Sequence, residues 1–128
     1  MKVLVVDDDA DQLLLRGMLL RESGFETLEE RDVISALEAA ASYKPECAVL
    51  DLRLPTEQLG LRLIRDLKTL DPIIRIFVLT GADPTRFARQ PERTLVDDIL
   101  VKGSSFADLI QKLHAVATRT RVSHRRLA

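Results

Sequence analysis

A short apolar run that ends in a carboxylate constrains the fold of this chain more than any other feature. Residues 47–50 (CAVL) are all apolar, and Asp51 follows them directly. An apolar run of this length, without alternation, is typical of a strand buried on both faces, as in a parallel sheet. Ligands of such sheets bind just outside the carboxyl ends of the strands. Asp51 is therefore predicted to stand at the functional edge of a sheet.

Further strand patterns alternate with helical patterns along the chain. Beside residues 47–51, strands are predicted at residues 3–6, 25–29, 73–79 and 98–101. Alternation of this kind predicts a parallel sheet with helices on both faces. We predict one domain of the α/β class over residues 1–118, a doubly wound five-stranded parallel sheet. Residues 119–128 are predicted to be a basic C-terminal tail or the stub of a linker.

The spacing of apolar residues predicts the helices and their buried sides. The first helix, at about residues 10–23, should bury Leu13, Leu14, Gly17, Met18 and Leu20, with Gly24 as its stop. A second is predicted at residues 33–42, and a third is marked by apolar residues between 63 and 70. Asp83 and Pro84 resemble the start of a fourth helix that Pro91 should end. Ser105 should cap the last helix.

Composition and charge exclude several classes of protein. The 128 residues carry a net charge of −1, but residues 109–128 hold five basic residues and no acid, which leaves −6 for the rest. No apolar run approaches the roughly 20 residues of a membrane span, and the acidic N-terminal segment does not resemble a signal peptide. The one cysteine, Cys47, is predicted to be a reduced core residue. We expect a cytoplasmic protein that contacts neither membrane nor nucleic acid directly.

Chemically active side chains follow the predicted core strands. They are Asp7, Asp8, Asp9, Asp51, Thr80 and Lys102. The topology should bring them to one rim of the sheet. Converging carboxylates repel unless a cation neutralises them, and Mg²⁺ prefers one or two carboxylates together with water and phosphate oxygens. The set therefore indicates phosphoryl transfer, with Asp51 as nucleophile and Lys102 and a metal offsetting phosphoryl charge.

Four segments, in order, resemble the receiver domains of two-component response regulators. They are residues 5–9 (VVDDD), 50–55 (LDLRLP), 79–82 (LTGA) and 101–102 (VK). The resemblance covers about residues 1–118 and implies the flavodoxin-like (βα)5 fold. It also implies a signal carrier that assists its own phosphorylation and dephosphorylation rather than an enzyme.

The resemblance also implies a role for each matched residue. Asp51 corresponds to the phosphoacceptor and binds the metal as well. Asp8 corresponds to a direct Mg²⁺ ligand, Asp7 to the acid beside it, and the backbone carbonyl of Arg53 to a further protein ligand.

Two more matched residues and the partners follow from the same resemblance. Thr80 corresponds to the hydroxyl that moves on activation, and Lys102 to the cation that pairs with the phosphoryl group. The implied partners are a sensor histidine kinase or phosphotransfer protein and, for output, a second copy or an output domain.

Four positions depart from the usual pattern of that family. Gly103 follows Lys102 where proline is usual, so the peptide bond between them is predicted to be trans. Ile99 stands at the aromatic switch position. Gly60 comes one residue late after Pro55, which suggests an insertion within residues 56–59. Pro91 should shorten the fourth helix.

Other interpretations remain open at this point. A degenerate receiver could act as a phosphorylation-independent interaction module. A phosphatase with an aspartyl nucleophile would need a second acid where Arg53 stands, and a flavin- or nucleotide-binding protein would need a glycine-rich loop after the first strand. Asp9 and Asp11 are expected to be a helix cap and a first-turn charge. His114 and His124 are not expected to bind metal.

Overall fold

The chain folds around a single parallel sheet. A computed structural model describes residues 1–81, 84–102 and 106–127, with side chains described up to Ala117. The strands lie in the order β2-β1-β3-β4-β5 and are all parallel. They are β1 (Lys2–Val6), β2 (Glu26–Glu30), β3 (Cys47–Asp51), β4 (Arg75–Thr80) and β5 (Asp98–Val101). The predicted α/β class and doubly wound five-stranded sheet are confirmed.

Helices cover both faces of the sheet. They are α1 (Ala10–Glu22), α2 (Val33–Tyr43), α3 (Glu57–Leu70), α4 (Pro84–Ala88), a 3₁₀ helix (Pro91–Leu95) and α5 (Phe106–Leu127). One apolar cluster joins the sheet to α2, α3 and α4, and a second joins its other face to α1 and α5. Every residue of β3 is buried, as the unalternating apolar run predicts. β3 pairs with β1 and β4 and thus lies at the centre of the sheet.

The buried side of α1 differs from the prediction. Leu13, Gly17 and Leu20 are buried as expected, but Leu14 and Met18 are 58% and 47% exposed. Arg16 is buried instead. Apolar spacing cannot identify a buried arginine, because its burial depends on an anion that another part of the chain supplies.

The helix α3 begins earlier than its apolar residues indicate. Thr56 is its N-cap and accepts a hydrogen bond from the backbone N–H of Leu59 at 3.2 Å, so residues 57–59 form the first turn rather than an open loop. Gly60 lies on the buried side of that helix. A Cβ atom there would lie 1.8 Å from the backbone oxygen of Leu52, which explains why α3 approaches the loop after β3 only with glycine at this position.

Other boundaries agree with the sequence or differ by a few residues. β4 begins at Arg75, and Ile73 before it is 83% exposed. α4 ends at Ala88, ahead of Pro91, which begins the 3₁₀ helix. The predicted caps Asp83 and Ser105, and the Gly103 peptide bond, lie outside the described residues.

The last helix is longer than expected. It continues to Leu127, so the helical segment includes residues 119–127; their assignment as a basic tail or linker stub beyond a domain of residues 1–118 stays a prediction. Helix propagation adds one hydrogen bond for each residue fixed, and arginine is a good helix former, so a basic composition does not end a helix. Among the described residues, no helix has the length and apolar character to cross a membrane.

Candidate functional site

Asp51 forms the centre of the site at the carboxyl end of β3. Asp51 is only 6% exposed to solvent. Both carboxylate oxygens accept hydrogen bonds: Oδ1 from the backbone N–H of Arg53 at 3.1 Å, and Oδ2 from the Lys102 ammonium at 2.6 Å. The carboxylate is therefore held in one orientation at the sheet edge.

Lys102 reaches Asp51 from the end of β5. Its backbone N–H donates to the carbonyl of Thr80 at 2.8 Å, which continues the pairing between β4 and β5 by one residue. Thr80 is the last residue of β4 and is buried. The parallel register of three strands thus brings Asp51, Thr80 and Lys102 to one rim, as the sequence predicts.

The two acids after β1 complete the site. Oxygen atoms of Asp7, Asp8 and Asp51 lie within 4.8 Å of one another. Asp7 is fully buried and Asp8 is exposed, so the cluster opens to solvent on one side. Oxygen donors of this kind are those that Mg²⁺ prefers. The three carboxylates therefore fit a divalent metal, while the predicted contribution of the Arg53 carbonyl remains a prediction.

An open cavity of about 430 Å³ lies over the cluster. Residues lining it include Asp8, Asp51, Thr80 and Lys102. Arg53 also lines it, with an exposed side chain. On the rim, Arg86 of α4 lies 3.4 Å from Glu57 of α3, a pair that the sequence did not indicate.

Burial dominates the electrostatics of Asp51. It raises the pKa of the Asp51 carboxyl above its ordinary value, and the negative charge of Asp7 adds to the rise. The hydrogen bonds from Lys102 and from the backbone N–H of Arg53 act in the opposite direction. The site thus holds a desolvated carboxylate beside one ammonium group.

Sequence reasoning missed Arg16, which contacts Asp7 on the buried side of the site. Its guanidinium donates to Asp7 Oδ2, and its residue is 6% exposed. The second oxygen of Asp7 accepts from the backbone N–H of Asp9 at 2.9 Å. The available signal was a basic residue between apolar ones in α1, nine positions after Asp7.

The remaining sequence candidates have structural roles in the described part of the chain. Asp9 caps α1 and accepts from the backbone N–H groups of Asp11 and Gln12, as predicted. Ile99 is partly buried and packs on the core beneath α4. His114 contacts the ring of Phe25, with centroids 4.8 Å apart. His124 lies beyond Ala117, the last residue whose side chain the structure describes.

The fold and the site together define a class of protein. A doubly wound parallel sheet presents a buried, lysine-paired aspartate beside two further acids at the carboxyl ends of its central strands. The model of the response regulator receiver domain family matches residues 3–114. The chain belongs to this family, whose members are phosphoacceptor signalling domains of two-component systems.

Individual relatives agree with that assignment. The transcriptional regulatory protein PrrA of Mycobacterium tuberculosis is 32% identical over 118 residues, which cover 92% of this chain and 50% of PrrA. The putative positive transcription regulator of virulence factors BvgA of Bordetella pertussis is 32% identical over 116 residues, which cover 90% of this chain and 55% of BvgA. The chain therefore spans about half the length of these curated relatives.

Solved structures show the same fold. A receiver domain protein from Clostridium thermocellum has a TM-score of 0.84 at 22% identity and covers 94% of this chain and 97% of its own. A response regulator from Burkholderia pseudomallei, with a phosphorylated aspartic acid, a calcium ion and citrate, has a TM-score of 0.79 at 28% identity. That alignment covers 96% of this chain and 72% of the other.

Proposed function

We propose that Asp51 accepts a phosphoryl group from a phosphohistidine of a sensor histidine kinase or phosphotransfer protein, with Mg²⁺ held by Asp7, Asp8, Asp51 and the carbonyl of Arg53. One observation carries the proposal: the 2.6 Å contact between Lys102 Nζ and a buried Asp51 that shares a 4.8 Å cluster with two other acids. Receiver domains of response regulators interact with histidine kinases and output domains, which supports the choice of donor.

The residues divide the chemistry between them. A carboxylate oxygen of Asp51 attacks phosphorus, an O–P bond forms as the N–P bond of the donor breaks, and the electron pair stays on the imidazole nitrogen. Lys102 already donates to Asp51 and is placed to pair with a phosphoryl oxygen after transfer. When bound, Mg²⁺ would supply further positive charge for the phosphoryl oxygens.

Thr80 supports a response to phosphorylation. It ends β4 beside Lys102 and lines the same cavity as Asp51. A phosphoryl group on Asp51 would present new acceptor oxygens to the Thr80 hydroxyl. Ile99 at the neighbouring strand cannot supply an aromatic rotamer, so we propose that any output depends on Thr80 and the α4 segment rather than on an aromatic switch.

Output would pass through a protein contact. We propose a second copy of this chain or an output domain as the recipient, and the cytoplasm as the location of the exchange. The curated relatives are transcriptional regulators and about twice as long as this chain. For residues 1–118 of this chain we propose no direct contact with nucleic acid.

Intact-mass measurement after incubation with acetyl phosphate tests the proposal. We expect one phosphoryl adduct on the wild-type protein with MgCl₂ and a much smaller amount with EDTA. Asp51→Asn should abolish the adduct, and Lys102→Met should reduce it strongly. Asp11→Asn is the matched control, because Asp11 is an exposed acid in the first turn of α1 and does not line the cavity.

The contrary results are equally definite. A wild-type protein without any adduct, or an adduct that persists in Asp51→Asn, would contradict the assignment of the phosphoacceptor. The first of these results would favour a receiver that acts without phosphorylation.

A further inference from the structure

A buried arginine lies against the acidic cluster on the side away from solvent. The Arg16 side chain is 8% exposed and the Asp7 side chain 0%. Its Nη1 donates to Asp7 Oδ2, and its Nη2 lies 3.4 Å from Gln12 Oε1, a long contact with the preceding turn of α1. The strong interaction of the guanidinium is therefore with Asp7.

The cost of burying a guanidinium shows why this contact matters. Removing a charged group from water costs several kcal/mol, which only a well-placed opposite charge offsets. The neighbours of Arg16 on the buried side of α1 are Leu13, Gly17 and Leu20, and an apolar residue would satisfy that face without such a cost. The Asp7 carboxylate is the described group that balances the Arg16 charge.

The pair changes the charge that a metal would meet. Without Arg16, the three carboxylates of Asp7, Asp8 and Asp51 face the single ammonium of Lys102. With Arg16, two cations are in direct contact with the three carboxylates, Lys102 with Asp51 and Arg16 with Asp7. Because the Asp7–Arg16 pair is buried, added salt screens its charge less than it screens exposed groups. The cluster that a metal would enter opens to solvent beside the exposed Asp8, which keeps the interaction between Arg16 and a metal near its strength in water.

We propose that Arg16 is a positioning residue that holds Asp7 in place without metal and weakens the binding of divalent cations at the acidic cluster. The inference rests on the proposed function, in which Asp7 is one of the residues around Mg²⁺. Asp7 Oδ1 accepts from the backbone N–H of Asp9, and Oδ2 accepts from Arg16, so both oxygens already have a partner. A metal must share this carboxylate with the guanidinium.

The expected effect follows from charge. Loss of one unit charge next to the cluster should raise the association constant for Mg²⁺ by roughly tenfold, the order expected for a unit charge acting on a divalent ion across several ångströms in a well-solvated site. The bond from the Asp9 N–H to Asp7 Oδ1 remains in the variants, so we expect the loss of charge to dominate over any loss of positioning. If the positioning of Asp7 by Arg16 dominated, a displaced Asp7 would weaken Mg²⁺ binding instead.

Calorimetric titration with MgCl₂ at fixed ionic strength and neutral pH tests the inference. The proteins are wild type, Arg16→Leu, Arg16→Lys and Arg21→Leu. We expect tighter binding in Arg16→Leu by about tenfold and near wild-type affinity in Arg16→Lys, which keeps the charge. Arg21→Leu should bind Mg²⁺ with wild-type affinity. This variant removes the same charge from the same helix, but Arg21 pairs with Glu29 outside the cavity.

A second variant covers the case in which Arg16→Leu does not fold. Arg16→Gln removes the charge and keeps a polar N–H donor on a shorter side chain. It should also bind Mg²⁺ more tightly than wild type, and a circular dichroism melt of each variant confirms that it is folded before titration.

The outcomes separate the two proposals. Equal or weaker Mg²⁺ binding in the folded Arg16→Leu or Arg16→Gln variant, with normal binding in wild type, overturns the inference alone. No Mg²⁺ binding in any variant, including wild type, overturns it together with the metal requirement of the proposed function.

Discussion

The close approach of Gly60 to Leu52 makes Gly60→Ala a sharp test of how α3 is seated against the site. The Cβ of alanine would lie 1.8 Å from the Leu52 oxygen and 2.8 Å from its carbonyl carbon, whereas real Cβ contacts do not fall below 3.0 Å. The helix or the loop after Asp51 must therefore move by more than 1 Å. Neither can yield like a flexible side chain, because the obstacle is backbone.

Two opposing magnitudes set the expected stability. Replacing glycine by alanine within a helix normally gains up to about 1 kcal/mol. Overpacking costs about 1–3 kcal/mol and occasionally more, and here Leu63, Ile64 and Leu67 fix the helix in the core. Because the obstacle at 1.8 Å is backbone, we expect a cost of about 3 kcal/mol, at the upper end of that range. The net loss is then about 2 kcal/mol, with a fall in Tm of about 8 °C for a domain of this size.

Thermal and urea unfolding measure this difference, with Gly81→Ala as the matched control. A Cβ at Gly81 would meet its nearest atom, Lys102 Cδ, at an ordinary 3.7 Å, so this variant should stay within about 0.5 kcal/mol of wild type. If Gly60→Ala proves as stable as wild type, or more stable, the reasoning from backbone contact is refuted.

Three further expectations concern other parts of the fold. The Cys47 thiol is fully buried, and burial raises its pKa to about 12. It should therefore react with a thiol reagent at neutral pH only when the protein unfolds, and rapid labelling of the folded protein would contradict its burial. Burial raises the pKa of the Asp98 carboxyl, but the hydrogen bond from Lys112 outweighs burial, so the pKa is lowered overall. The contribution of Asp98 to stability is therefore present above about pH 4 and disappears as the pH falls through the lowered pKa. For this partly exposed Asp98–Lys112 pair, the free energy of unfolding of Asp98→Asn should differ from that of wild type by at most about 1 kcal/mol. The difference should shrink as the pH is lowered in acid unfolding, and a difference that stays constant would argue against the pair. Thr56→Ala should cost about 1 kcal/mol in urea unfolding through loss of the α3 cap, and no loss would mean that the cap contributes nothing.

Sequence alone predicted the sheet because its strands are so strongly patterned. The run that ends at Asp51 has no polar residue on either face, so only a central strand of a covered sheet can accommodate it. Once the strands are parallel, the residues that follow them must meet at one edge. The convergence of Asp51, Thr80 and Lys102 was therefore predictable from order along the chain.

The misplaced residues are those whose environment comes from elsewhere in the chain. Arg16 is buried because Asp7 lies beneath α1, and apolar periodicity contains no information about that contact. Leu14 and Met18 are exposed because the buried stripe of α1 runs through Leu13, Arg16, Gly17 and Leu20, and each of the two lies one position beyond it. Gly60 stands out in the sequence as a displaced glycine, but its approach to Leu52 depends on how α3 packs against the loop after β3.

Chemical mapping of the phosphorylated residue tests the central claim most directly. Borohydride reduces an aspartyl phosphate to homoserine, so phosphorylation by a histidine phosphodonor followed by borohydride and peptide mass spectrometry identifies the acceptor. We expect homoserine at position 51 and unmodified aspartate at positions 7 and 8. Homoserine at Asp7 or Asp8, or none at Asp51 after phosphoryl transfer has been detected, would contradict it.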